Sequence, residues 1–173
     1  MNTPETDRLR FRAMDDSDLD NIAAMLGDPE VMAFYPAPKT RAQAQDWIDW
    51  NKRNYVEHGF GLWLLETTDG EFVGDCGLSW QEVNGTPALE VGYHVRADLQ
   101  GRGYASEAAA ACREFARGLG ESHLVAIIDP ANIASQRVAE KIGLSFELTA
   151  TDGGRHRSVF GAEFRPRAVQ GSA

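Results

Sequence analysis

Apolar and basic positions alternate through RLRFRAM (residues 8–14), the period of a half-buried strand. The period then changes. In DDSDLDNIAAMLG, Leu19, Ile22, Met25 and Leu26 recur at helical spacing, and Gly27 is a natural stop. DPEVMAFYPAPK, with its aromatic residues and three prolines, reads as a loop. Thr40 and Gln43 have capping-box spacing and predict a second helix, with Ala44, Trp47, Ile48 and Tyr55 on one side and an end near Gly59. Strands are predicted at 60–66, 71–80 and 88–95, separated by the turn compositions TTDG and EVNGTP. Such short connections favour antiparallel neighbours.

QGRGYAS opens a third helix, in which Ala105, Ala108, Ala109, Cys112, Phe115, Ala116 and Leu119 make a continuous apolar face ending at Gly120. HLVAIID (123–129) reads as a buried strand, and the helical crossover before it predicts a parallel, right-handed connection to the preceding strand. A short helix over 132–142 stops at Gly143; strands near 145–149 and 156–162 close the domain, and RPRAVQGSA (165–173) is expected to be a loose tail. The fold class expected is α/β (α+β): one domain over 1–173, its core at about 8–164, with a mixed, mostly antiparallel sheet of about seven strands flanked by about four helices.

Composition narrows the function classes. The chain has 173 residues, 43% hydrophobic and 25% charged, the balance of an ordinary folded domain. A net charge of −9 argues against a nucleic-acid surface and is compatible with a cationic substrate. Cys76 and Cys112 supply neither a disulfide nor a zinc framework, and Cys112 reads as a small core residue. His58, His94, His123 and His156 show no metal-ligand spacing, so no metal is expected. The first residues lack an apolar signal core, and no apolar run approaches membrane-spanning length. A cytoplasmic protein engaging neither membrane nor nucleic acid is expected.

The chemistry-bearing feature is Gln100-Gly101-Arg102-Gly103-Tyr104-Ala105, between a strand and a helix. A helix N-terminus offers unpaired N–H groups and a positive dipole end, and glycines let an anion approach the backbone. A diphosphate suits such a turn, with Arg102 and Arg96 available to add charge. A P-loop is excluded because no Lys follows the second Gly. A dinucleotide fingerprint is disfavoured because Ser106 stands at its third glycine and hairpins precede the turn.

QGRGYA resembles the Q/R-x-x-G-x-G/A motif of the GNAT superfamily of N-acetyltransferases. ALEVGYHV resembles that family's fourth strand, and NIASQRVAEKIGLSF its second signature, in the expected order and spacing; the likeness extends from about Arg8 to Phe164. RLRFRAM and RVAEKIGL are most similar to the branch that includes ribosomal-protein N-terminal acetyltransferases. The resemblance implies acetyl-coenzyme A as acyl donor and a primary amine, on a protein N-terminus or a small molecule, as acceptor, with direct transfer between them. Gln100, Gly101, Arg102, Gly103, Tyr104, Ala105 and Ser106 would cradle the diphosphate through their backbone. Backbone groups near Tyr93 and Val95 would hold the pantetheine arm, where a bulge splays the fourth and fifth strands in family members. Asn132 would contact the arm, Ser135 would lie near the sulfur, and the Val95 N–H is the implied oxyanion donor. Homodimers are frequent in the family. A non-catalytic acyl-coenzyme A sensor and a scaffold with this fold are the competing readings.

An ammonium must lose a proton before attacking a thioester. Alternation in ALEVGYHV puts Leu89, Val91, Tyr93 and Val95 on one face and Ala88, Glu90, Gly92 and His94 on the other. Glu90 is the expected general base, direct or through water, and His94 a substrate contact or a sheet-edge residue. Many family members carry a Tyr acid where this chain has Ala139; Ser135 is the substitute donor, unless it only caps its helix. Phe34, Tyr35, Trp47 and Trp50 are expected to wall the acceptor side, with Asp75 and Glu82 as carboxylates that would attract a cationic amine or merely lie at the surface.

Overall fold

The computed structural model describes residues 2–164; the expected loose tail lies outside the described residues. The element order is β1 (Leu9–Arg12), a 3-10 turn (Asp16–Asp18), α1 (Leu19–Leu26), α2 (Arg41–His58), β2 (Leu62–Thr67), β3 (Phe72–Val83) and β4 (Thr86–Val95). A second 3-10 turn (Ala97–Leu99) precedes α3 (Tyr104–Gly118), β5 (His123–Ile128), α4 (Ile133–Lys141), β6 (Ser145–Asp152) and β7 (Arg155–Glu163). One seven-stranded sheet runs β1-β2-β3-β4-β5-β7-β6. Every neighbouring pair is antiparallel except β4 and β5, which run parallel as the helical crossover predicts.

Helices cover both sheet faces. Ala108, Ala109, Cys112 and Ala116 of α3 are wholly buried, and their small side chains let the helix lie close on Cys76, Leu78, Leu89 and Val91. Cys76 and Cys112 are free and buried, their Sγ atoms 3.5 Å apart. On the opposite face, Ile22 and Leu26 of α1 and Ala44 and Ile48 of α2 pack on Leu62, Leu64 and Phe72. The predicted capping box starts α2: the Thr40 side chain accepts the Gln43 N–H at 3.2 Å, and the Gln43 side chain returns the bond to Thr40 at 2.9 Å. Among the described residues no helix is long and apolar enough to cross a membrane.

Several sequence expectations shift. EVNGTP is not a break: β3 and β4 stay in register to Val83↔Thr86 around a two-residue turn at Asn84-Gly85. Both turn residues have positive φ (49° and 82°), the primed geometry that matches strand twist. Leu119 leaves the apolar face of α3 and is 48% exposed, because the helix ends one residue earlier. The α4 cap is Asn132, whose side chain accepts the Ser135 N–H at 3.0 Å; Ser135 is not the cap.

Candidate active site

The site lies where β4 and β5 part. The two strands are in register at Glu90↔Val125 alone. Toward the chain end of β4, Arg96 N–H donates to Val73 O at 2.9 Å. By antiparallel alternation, backbone groups of Gly92, His94 and Arg96 therefore face β3, and those of Val91, Tyr93 and Val95 face the opening. No register shift interrupts the β3–β4 ladder. β4 and β5 thus splay apart as the family resemblance implies, with no bulge registered in the pairing of β4 with β3.

A cleft of about 510 Å³ runs through this opening. Its floor includes Tyr93, His94 and Val95 of β4 with Ile127 and Ile128 of β5. One end is lined by Gly101, Gly103, Tyr104, Ala105 and Ser106, the expected anion turn. Gly101 and Gly103 have φ of 76° and 84°, a region that favours glycine. Gly103 is the N-cap residue of α3 and supplies no capping side chain; the first bond into the helix runs from Glu107 N–H to Gly103 O at 3.0 Å. The N–H groups of Tyr104, Ala105 and Ser106 are left by that start without an intrahelical acceptor, beside the cleft. Arg137 and Lys141 of α4 line the same stretch and add positive charge.

The turn is fastened from outside by a residue that strand patterning alone did not single out. Arg8 pairs with Glu107 at 2.6 Å, donates to Arg102 O at 3.2 Å and lies over the Tyr104 ring at 4.8 Å. The side chain of Arg102 turns to Asp98 O at 3.4 Å, and Arg102 does not line the cleft. Arg96 is engaged with Asp98 and Glu71 and adds no free charge to the turn. Gln100 lines the cleft but uses its Nε2 to satisfy Val95 O at 3.1 Å.

Tyr93, Asn132 and Ser135 also line the cleft. The Tyr93 hydroxyl lies 3.0 Å from both the carbonyl oxygen and Oγ of Ser135. Burial pushes the Tyr93 phenol above its ordinary range, and the Ser135 bond pulls it partly back. The phenol is a group the sequence reading did not use, because Tyr93 and Ser135 are 42 residues apart. The position matching the family's usual Tyr is Ala139, fully buried.

Glu90 is partly buried at the last paired rung, its Oε1 accepting Ile127 N–H at 3.3 Å. Burial drives its carboxyl up to about 7; the Ile127 N–H and nearby His94 act in the opposite direction. At the other end the loop supplies Glu30, Val31, Phe34 and Tyr35, with Arg157 reaching in from β7. Asp75 is the clearest correction: it is neither exposed nor at the surface but fully buried, bonded to His94 Nδ1 at 2.7 Å and to Trp47 Nε1 at 2.9 Å. Trp47 therefore supports the site from behind, its ring centroid 5.0 Å from that of Trp50 at a 30° tilt, and neither tryptophan lines the cleft. Glu82 lies exposed on the β3–β4 hairpin, away from it.

Comparison with known proteins agrees with this architecture. The model of the acetyltransferase (GNAT) domain matches residues 8–145. YkkB of Bacillus subtilis is 41% identical over 149 residues, 83% of this chain and 86% of its own length. Among solved structures, an acetyltransferase from Agrobacterium tumefaciens superposes with a TM-score of 0.82 at 25% identity, covering 94% of both chains. RimL, a ribosomal L7/L12 alpha-N-protein acetyltransferase solved in complex with coenzyme A, gives 0.74 at 18% identity over 92% of this chain and 96% of its own.

Proposed function

This chain belongs to the GNAT family of acetyltransferases, and from that premise we propose that it transfers acetyl from acetyl-coenzyme A directly to a primary amine on a protein N-terminus or a small molecule. The observation that carries the reading is the start of α3. Its unpaired N–H groups and glycine backbone border a cleft that continues to the β4–β5 opening. The residues suit a coenzyme A thioester: amides and dipole for the diphosphate, cationic Arg137 and Lys141 along the wall, and the backbone edge at Tyr93 with the Val95 N–H for an amide-bearing arm. Bound there, it would supply an activated acyl group.

The chain's own residues account for the remaining requirements. Glu90, with its carboxyl near 7, is matched to accept a proton at neutral pH, directly or through water. The Val95 N–H, facing the opening, is the donor assigned to the developing oxyanion. Ser135 Oγ, with the Tyr93 phenol behind it, is the proton source assigned to the departing thiolate. Phe34 and Tyr35 wall the acceptor side. RimL's acceptor is a protein N-terminus, which favours including amino-terminal peptides among the acceptors.

The test is thiol release from acetyl-coenzyme A against a panel of peptides, polyamines and alkylamines. Turnover with at least one amine is expected. Acetyl-coenzyme A binding without turnover on any of them would assign a sensor, and absence of binding a scaffold.

A further inference from the structure

Side chains from α2, β3, β4 and the 28–39 loop form one hydrogen-bonded line at the acceptor end of the cleft. Trp47 Nε1 donates to Asp75 Oδ2 at 2.9 Å, Asp75 Oδ1 holds His94 Nδ1 at 2.7 Å, and His94 Nε2 lies 2.8 Å from the Tyr35 hydroxyl. Asp75 is 0% exposed and His94 9%, whereas Tyr35 is 45% exposed and lines the cleft with His94.

The indole end sets a direction for this line. An indole N–H can only donate, so Asp75 is an acceptor at Oδ2 and takes the Nδ1 proton of His94 at Oδ1. In the neutral imidazole that a relay requires, His94 Nε2 is then the bare nitrogen, and Tyr35 donates its O–H to it. Although the Tyr35 residue is half-exposed, its hydroxyl end is held against His94, and the burial of that end, and after it the charge of Glu90, raises the phenol above its ordinary range. Glu90 and Tyr93 of β4 and Arg157 of β7 are the other ionisable groups facing Tyr35.

Resting on the reading of acetyl transfer to an amine, we propose that Tyr35, His94 and Asp75 form a proton relay for the acceptor nitrogen. An alkylammonium carries three hydrogens on nitrogen and its amide product keeps one, so two protons must leave; Glu90 accounts for only one. In the relay, an acceptor N–H bond breaks as its proton moves to the Tyr35 oxygen. The Tyr35 O–H bond breaks as its proton passes to His94 Nε2, and Asp75 stabilises the imidazolium so formed. After product leaves, His94 returns its proton through Tyr35 to water. Tyr35 is the catalytic residue, and His94 and Asp75 act through it.

Tyr35→Phe removes one oxygen and leaves the α3 turn untouched. On the fastest acceptor among amino-terminal peptides and alkylamines, Tyr35→Phe and His94→Gln should each lower kcat roughly 10²-fold, with acetyl-coenzyme A affinity within about twofold of wild type. The double variant should be no slower than the slower single one, because the two act as a unit. Unchanged kcat in Tyr35→Phe, or losses that multiply in the double variant, would overturn the relay while leaving the acetyltransferase reading intact. No turnover on any amine by the wild-type chain would remove that reading and the relay with it. A second readout needs no acceptor: nitrogen-15 spectra of wild-type protein should show neutral His94 protonated at Nδ1 and bare at Nε2, with Nε2 shifting in Tyr35→Phe. A proton on Nε2 would overturn the wiring whatever the kinetics.

Discussion

Glu90→Gln separates the cost of burying a charge from the loss of a base. The substitution keeps the shape and an oxygen for Ile127 N–H, and it removes the ionisation. The Glu90 carboxyl lies at about 7 in the fold against an ordinary 4.5, chiefly because burial disfavours the anion. The unfolded chain therefore releases this proton first. Stability associated with protonated Glu90 is fully present below about pH 4.5 and is lost as pH rises through about 7. At about 1.4 kcal/mol per pH unit, the difference amounts to about 3 kcal/mol at the alkaline limit. Glu90→Gln escapes this loss. In urea denaturation its stability relative to wild type should improve by about 2 kcal/mol between about pH 5 and about pH 8. The wild-type kcat/KM for thiol release should rise through about pH 7, as the base loses its proton, and Glu90→Gln should lose roughly 10²-fold of it with acetyl-coenzyme A affinity preserved. A stability difference that stays flat with pH would show that Glu90 is not desolvated. Equal turnover in both proteins across the range would remove Glu90 from the mechanism.

Three further substitutions probe separate parts of the account. Gly103→Val places a β-branched side chain at φ 84°, against the turn that borders the cleft; acetyl-coenzyme A binding by calorimetry should fall below detection while circular dichroism still reports the native fold. Asn132→Ala removes the α4 cap and a cleft-lining group together, so about 1 kcal/mol of stability and part of the acetyl-coenzyme A affinity should be lost. Thr40→Ala removes a cap remote from the cleft, and urea denaturation should register about 1 kcal/mol with unchanged affinity.

Local signals carried the sequence reading furthest. The Thr40–Gln43 box, the alternation along β4 and the glycine turn are each written within a few neighbouring residues, and the structure has all of them. Asn84-Gly85 was legible as a turn but not as a tight one, because polar residues in the flanking strands hid how far the hairpin extends. The wiring of the acceptor side was not legible. Asp75 meets His94 across 19 residues through the β3–β4 register, and Trp47 across 28 through packing of α2. A signal existed: a single carboxylate inside the apolar run FVGDCGL is costly to bury without partners. What it could not name was the partner, since sheet register and not sequence spacing chooses it. Arg157, on β7 beyond the second signature, reaches the cleft for the same reason.

In the proposed reading, donor binding, and hence every later step, depends on the backbone at the start of α3. Titrating coenzyme A into nitrogen-15-labelled protein and following the amide resonances tests it at the atoms concerned. The largest shifts should fall on Gly101, Gly103, Tyr104, Ala105 and Ser106, with smaller ones at Tyr93 and Val95 along the opening. Saturable binding that leaves those amides unmoved and perturbs another surface would contradict the account.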